Sequence, residues 1–197
     1  MEKMNMSMTN KMEQKRMHPH KFTLWVAIGS LLMMFAGLTS AFIVKSNQVN
    51  WKPVNMPVWF TASTILMLLS SGTMQLALKS FRERVMRNYR LWMWVTLVLG
   101  MAFVASQWIG FQELWSNQVT FQGAGAGQFL YVIFGLHALH VIAGVIVLLV
   151  MAIRSFVGSV KSYNTIPVEI AATYWHFVDL LWIYLFVFFW VVGGGQS

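Results

Sequence analysis

Five long apolar segments constrain the fold of this chain more than any other feature of its sequence. They cover approximately residues 22–44, 58–78, 91–114, 129–153 and 168–192. A run of about 20 apolar residues is long enough to cross the hydrocarbon core of a bilayer as an α-helix. In that core each helix satisfies its own backbone hydrogen bonds, which water cannot do there. The sequence therefore predicts an all-α polytopic membrane protein, a bundle of five transmembrane helices.

The composition agrees with a membrane protein. Hydrophobic residues make up 57% of the chain and charged residues only 10%, whereas about 25% charge is usual in soluble domains. The absence of cysteine excludes a disulfide framework, a zinc–thiolate site and an iron–sulfur cluster. The net charge of +8 does not indicate a nucleic-acid partner, because the basic residues lie between the apolar segments. We expect a basic cytoplasmic tail over residues 1–21 and one membrane domain over residues 22–197.

The distribution of lysine and arginine predicts the orientation of the chain in the membrane. Of 14 such residues, only Lys45 and Lys52 lie outside the tail and the loops at residues 79–90 and 154–167. The tail and these two loops share one side if each segment crosses once. Since cytoplasmic loops are enriched in Lys and Arg, we expect the N-terminus in the cytoplasm and the C-terminus outside. The expected location is therefore a membrane that borders the cytoplasm.

The loop at residues 79–90 has two interpretations. Its positive charge is a topology signal, and it is also suited to contact with anionic lipid headgroups. Tryptophan near the end of a segment belongs to the interfacial aromatic belt. The candidates for headgroup contact are Arg82, Arg84, Arg87, Arg90 and Trp175.

The fifth segment carries three ionisable residues, Glu169, His176 and Asp179, within an otherwise apolar and aromatic run. Ionisable groups are costly in a membrane, so those present usually face protein. His176 and Asp179 are three residues apart and share a helical face. We expect a hydrogen bond between them, through which the aspartate neutralises or orients the imidazole.

The fourth segment adds His137 and His140, again three residues apart. One interpretation is ligation of haem or a metal, for example by His140 and His176 in a b-type membrane cytochrome. The other is an internal polar network formed by His137, His140, His176, Asp179 and Glu169. No combination of nucleophile and base is recognisable, so no catalytic residue is predicted.

A small membrane transporter is a further alternative, for which Gln107 and Glu113 are the polar residues of the third segment. Transporters usually have a midplane ionisable group or a broken helix. No proline interrupts the interior of any of the five segments. The sequence therefore favours a packed bundle over a transport path.

Two segments resemble subunit III of the haem–copper terminal oxidases (cytochrome c oxidase subunit III), in the short five-helix form found in bacteria. The fifth segment is similar through Glu169, Ala171, Ala172, the run from Tyr174 to Asp179, and Trp182. The fourth is similar through Gly135, His137, His140, Val141 and Gly144. Weaker similarities lie at His18-Pro19 and Met34–Leu38, and at Leu99-Gly100, Phe103 and Gln107.

The resemblance implies an accessory, non-redox subunit of an aerobic respiratory oxidase, with no cofactor site of its own. Haem and copper would lie in partner subunits, and structural phospholipids would bind here. It implies packing against catalytic subunit I and other oxidase subunits, with a respiratory supercomplex as a further partner. Support of assembly, proton uptake and turnover stability would be its role. Within the same superfamily, an accessory protein of a quinol oxidase or nitric oxide reductase is the alternative, since other subunits determine the electron donor.

Two positions depart from the family pattern. The family often has a glutamate where this chain has Leu31, and an acid where it has Gly110. Proton-related roles of those carboxylates are therefore not transferred to this chain. The longer family form also has two N-terminal helices that enclose a lipid cleft. The corresponding surface here is expected to face lipid, another subunit or a partner complex.

Overall fold

The computed structural model describes residues 19–46, 58–116, 126–157 and 165–194, and all of these except a short turn and Thr165 are helical. The helices are α1 (Pro19–Ser46), α2 (Val58–Arg82), α3 (Met86–Ser116), α4 (Ala126–Val157) and α5 (Ile166–Gly194). All five are long and apolar enough to cross a membrane. The predicted fold class is confirmed. The helices extend up to five residues beyond the ends of the predicted apolar segments.

A tight turn at residues 83–85 joins α2 to α3 and sends the chain back antiparallel. The amide of Val85 donates to the Ser80 carbonyl (3.0 Å) and that of Arg84 to the Phe81 carbonyl (3.1 Å). These are the two bonds of a Schellman motif, which satisfies carbonyl groups at a helix end. Arg84 takes the left-handed position with φ of 60°, where glycine is the usual residue. We call this end of the bundle the turn end.

Helix α5 lies at the centre of the bundle, in contact with α1, α2 and α4. Its buried residues belong to two apolar clusters, one around Trp175 near the turn end and one around Trp182 further along. Helix α3 packs on α2 and α4, while α1 contacts α4 and α5. The core therefore forms around α5, and among the described residues α1 has no close backbone contact with α2 or α3.

Trp175 is buried, with 1% of its surface exposed, so its assignment as a headgroup contact was wrong. Two glycines make room for its ring. A Cβ atom on Gly100 would lie 2.9 Å from Cη2 of Trp175, and one on Gly144 would lie 3.1 Å from Cε3. Position along the segment suggested an interfacial residue, but the helical face of Trp175 is directed at α3 and α4.

Candidate functional site: a polar seam along α2

Hydroxyl side chains of α2 form the main buried polar feature of the described helices. Ser63 and Ser70 are seven residues apart, as are Thr64 and Ser71. Seven residues are close to two helical turns, so each pair shares a face. Ser63 and Ser70 have no exposed surface. Together with Thr73 we call these residues the polar seam.

The polar seam binds α5 through three side-chain hydrogen bonds. The Trp175 indole Nε1 donates to Oγ of Ser70 (3.0 Å), and the Trp182 indole Nε1 donates to Oγ1 of Thr64 (3.1 Å). Between them, Oγ of Ser71 lies 2.6 Å from Nδ1 of His176. The residue nearer the start of α2, Thr64, binds the residue further along α5, Trp182. These bonds therefore define an antiparallel register of the two helices.

The same seam also binds α3. The Gln107 amide donates to Oγ of Ser63 (2.8 Å), and the hydroxyls of Thr73 and Thr96 are 2.8 Å apart. Small residues with hydroxyl groups allow helices to approach closely and to hydrogen-bond across their contact. The seam therefore joins α2 to both of its neighbours.

The predicted hydrogen bond between His176 and Asp179 is not formed. The imidazole turns instead to Ser71 on the facing helix. Asp179 is 3% exposed, and its carboxylate lies near the same Ser71 hydroxyl but forms no well-aligned hydrogen bond with any described residue. Spacing of three residues places both side chains on one face, but the facing helix determines which partner each one meets.

His137 and His140 lie apart from that pair in their contacts. The His137 ring is 1% exposed and stacks on Trp182, with centroids 5.3 Å apart. Its two nitrogens have no hydrogen-bond partner among the described residues. Nδ1 of His140 lies 2.7 Å from the Leu136 carbonyl, a bond within its own helix. These histidines fill space in the aromatic core.

Glu169 belongs to an ion cluster at the turn end. Its carboxylate binds Nζ of Lys21 on α1 (2.6 Å) and Nη2 of Arg82 on α2 (3.0 Å). The Glu169 side chain is 22% exposed, and both partners are more exposed. The cluster joins three helices near the membrane surface. The five residues predicted as one network thus occupy three places that no hydrogen bond links.

Sequence reasoning missed the residues of the polar seam. A signal was present in the repeated spacing of seven residues between hydroxyl groups along α2. As for metal ligation, no group of three or more His, Asp or Glu side chains in the described helices is arranged to hold an ion. The fold and the seam define a multi-pass helical membrane protein whose buried hydroxyls connect helix to helix.

Comparison with known proteins identifies the family. A family profile described as cytochrome c oxidase subunit III matches residues 17–194. The cytochrome c oxidase subunit 3 of Bacillus sp. (strain PS3) is 28% identical over 174 residues, which are 86% of this chain and 84% of that protein. The probable cytochrome c oxidase subunit 3 of Nocardia farcinica (strain IFM 10152) is 31% identical over 165 residues, 81% of each chain.

The chain belongs to the cytochrome c oxidase subunit III family. It is a multi-pass membrane protein and an accessory subunit of a multi-subunit oxidase complex. Subunit III is a non-catalytic subunit of that complex. The resemblance drawn from the motifs of the fourth and fifth segments is confirmed.

Proposed function

We propose that this chain packs against the catalytic subunit I and supports assembly and turnover stability of the oxidase by holding a fixed helical surface. The observation that carries this proposal is the polar seam. Five side-chain hydrogen bonds of the seam residues join α2 to α3 and α5. Buried polar groups used in this way fix the relative positions of helices.

The size of this contribution suits a structural role. Hydrogen bonds between helices in membrane proteins contribute about 0.6 kcal/mol each on average, so five contribute roughly 3 kcal/mol. That amount does not drive insertion, which depends on the apolar length of each helix. It is enough to favour one register of α2 over shifted registers by about a hundredfold.

His176→Leu tests the structural role in the intact oxidase. This variant removes the bond to Ser71 while it keeps an apolar side chain at position 176. We expect faster inactivation during turnover, or loss of the subunit on purification, with an unchanged haem spectrum. Leu180→Ala is the matched control, since Leu180 lies one turn further along α5 and is 65% exposed. Loss of a haem band in His176→Leu would favour the b-type cytochrome instead.

We also propose that any support of proton uptake by this chain is indirect, through stabilisation of its partner. The two positions where family members often carry acids hold Leu31 and Gly110. A Cβ on Gly110 would lie 3.3 Å from the Phe60 ring. This crowding supports the interpretation that a longer, acidic side chain has no place there. As a separate point, we propose that the haem and copper of the oxidase lie in the partner subunits.

The proposed location is the bacterial cytoplasmic membrane, with the turn end of the bundle on the cytoplasmic side. The ion cluster around Glu169 and the basic residues of the α2–α3 connection support this orientation. Because the chain has no cysteine, single-cysteine variants report topology directly. An impermeant maleimide applied to intact cells should label Ser116→Cys and leave Glu83→Cys unlabelled. The reverse pattern would invert the proposed orientation.

A further inference from the structure

Arginine residues at the start of α3 lack acidic partners within the described helices. The chain has six acidic residues, and four of them are among the residues that the structure describes. Two are in ion pairs with other bases, one is buried in the bundle, and one lies roughly 40 Å further along α3. These four are, in that order, Glu83, Glu169, Asp179 and Glu113. None of the ion pairs in the described helices involves Arg87 or Arg90.

Arg87 and Arg90 lie three residues apart and line the same groove, which has a volume of about 820 Å³. The groove lies between the start of α3 and the end of α4. No acidic side chain of the described residues lines it, so its two arginines give the lining a positive charge. Its lining consists of Arg87, Asn88, Arg90, Leu91, Trp94 and Phe156.

The Arg90 guanidinium is held in place within this groove. Its central carbon lies 5.2 Å from the centroid of the Phe156 ring, a cation–π distance that restricts a flexible side chain. Nε of Arg90 is buried and has no hydrogen-bond partner among the described residues. Because Nε is buried, an anion in the groove would bind the terminal amino groups of this guanidinium and supply the missing negative charge.

The groove changes from polar to apolar with depth. Trp94 lies one turn beyond Arg90 on α3, away from the turn end, and its ring meets the edge of Phe156 with centroids 6.2 Å apart. Leu91, Trp94 and Phe156 are all substantially exposed. Charged groups above an exposed apolar wall match the layers of a phospholipid, with its phosphate at the interface and its chain below. An inorganic anion would use the arginines but not this wall.

We propose that the groove binds one anionic phospholipid, with its phosphate on Arg87 and Arg90 and an acyl chain along Trp94 and Phe156. The proposal assigns the headgroup role to these two arginines of the four predicted ones. Arg82 is engaged with Glu169, and Arg84 forms the turn. The proposal rests on the proposed membrane orientation, and it specifies the ligand and its position.

The test is lipid retention by the purified full chain, measured by native mass spectrometry after titration with phosphatidylglycerol. Arg90→Gln should weaken phosphatidylglycerol binding about tenfold, since one charge-assisted hydrogen bond is lost. Arg90→Lys should retain most of the binding, which shows that the fold is intact. The matched control is Lys79→Gln, which removes one exposed positive charge from the same end of the bundle but outside the groove.

Trp94→Ala separates a lipid from a simple anion. This variant should weaken binding of phosphatidylglycerol and leave any binding of inorganic phosphate unchanged. Equal losses in Arg90→Gln and Lys79→Gln would overturn the proposal, because they indicate general attraction by charge. Inorganic phosphate that binds as tightly as the lipid would also overturn it. Co-purification with the oxidase, measured on the same variants, reports on the proposed function independently of lipid binding.

Discussion

Helices α2 and α1 differ in how the bundle holds them. Side-chain hydrogen bonds join α2 to α3 and α5 at five positions along the polar seam. In contrast, α1 is joined to α5 by a hydrogen bond in the membrane interior, between Thr39 and Tyr184 (2.9 Å), and by an ion pair at the turn end, between Lys21 and Glu169. It also packs on the apolar core through Phe35 and Phe42.

The difference follows from what drives association in a bilayer. Lipid chains are as apolar as leucine, so apolar side chains gain little from burial and helices associate through close packing and hydrogen bonds. The mean hydropathy of the spanning window is 1.2 in α2 and 2.0 in α1. The less apolar helix is the one with more cross-helix bonds. The polar residues that lower the hydropathy of α2 also form the hydrogen bonds that attach this helix to α3 and α5.

Trp175→Ala should have the largest effect, because it acts on the core that α2, α3, α4 and α5 share. Removal of a buried tryptophan leaves a cavity, and the expected loss is about 3–5 kcal/mol. The bond to Ser70 is lost as well. The apparent melting temperature of the full chain in detergent measures the effect. Trp190→Ala, at a position that is 67% exposed, should be close to neutral, and a similar loss there would refute the central role of Trp175.

Gly100→Leu should destabilise the same core from the α3 side by about 3 kcal/mol, as overpacking does. The added Cβ would lie 2.9 Å from the Trp175 ring and 3.4 Å from Cγ2 of Val145. Gly72→Leu on α2 is the control, because a Cβ there has no neighbour within 4 Å. Unfolding in a graded series of denaturing detergent compares the two. Equal stability of both variants would contradict the packing of Trp175 against Gly100.

The sequence was sufficient to predict the helices but only part of the site. Five apolar segments long enough to cross a bilayer determine five helices, whatever their partners. The partner of a buried side chain depends on the facing helix, which periodicity within one segment does not identify. His176 illustrates this, since its hydrogen-bond partner is Ser71, 105 residues earlier in the chain. Trp175 illustrates it too, because the space for its buried ring depends on Gly100 and Gly144 of the facing helices.

Ser71→Ala should have a moderate effect and sharpen the contrast between α2 and α1. It leaves the His176 imidazole without its partner inside the bundle, so we expect a loss of about 1.5 kcal/mol. Ser40→Ala on α1 is the matched control, since Ser40 is exposed on the outer face of its helix. Thermal unfolding of both variants in the same detergent is the measurement. A neutral Ser71→Ala would show that the bond to His176 does not contribute to stability.

Glu169→Gln should have the smallest effect on overall stability, and it should act on α1 in particular. The carboxylate binds Lys21 and Arg82 near the membrane surface, where partly exposed ion pairs contribute about 0.2–1 kcal/mol. Loss of the charge removes the ion pair between Lys21 and Glu169, which joins α1 to α5. A cysteine at Leu38, which is half-buried against the core, should then react with maleimide about twofold faster. Lys79→Gln breaks an exposed pair with Glu83 within α2, and the labelling rate should stay unchanged. If Lys79→Gln accelerates labelling equally, general electrostatics at the turn end hold α1 rather than its pair with Glu169. In that case α1 would differ even more from α2, which direct hydrogen bonds hold in place.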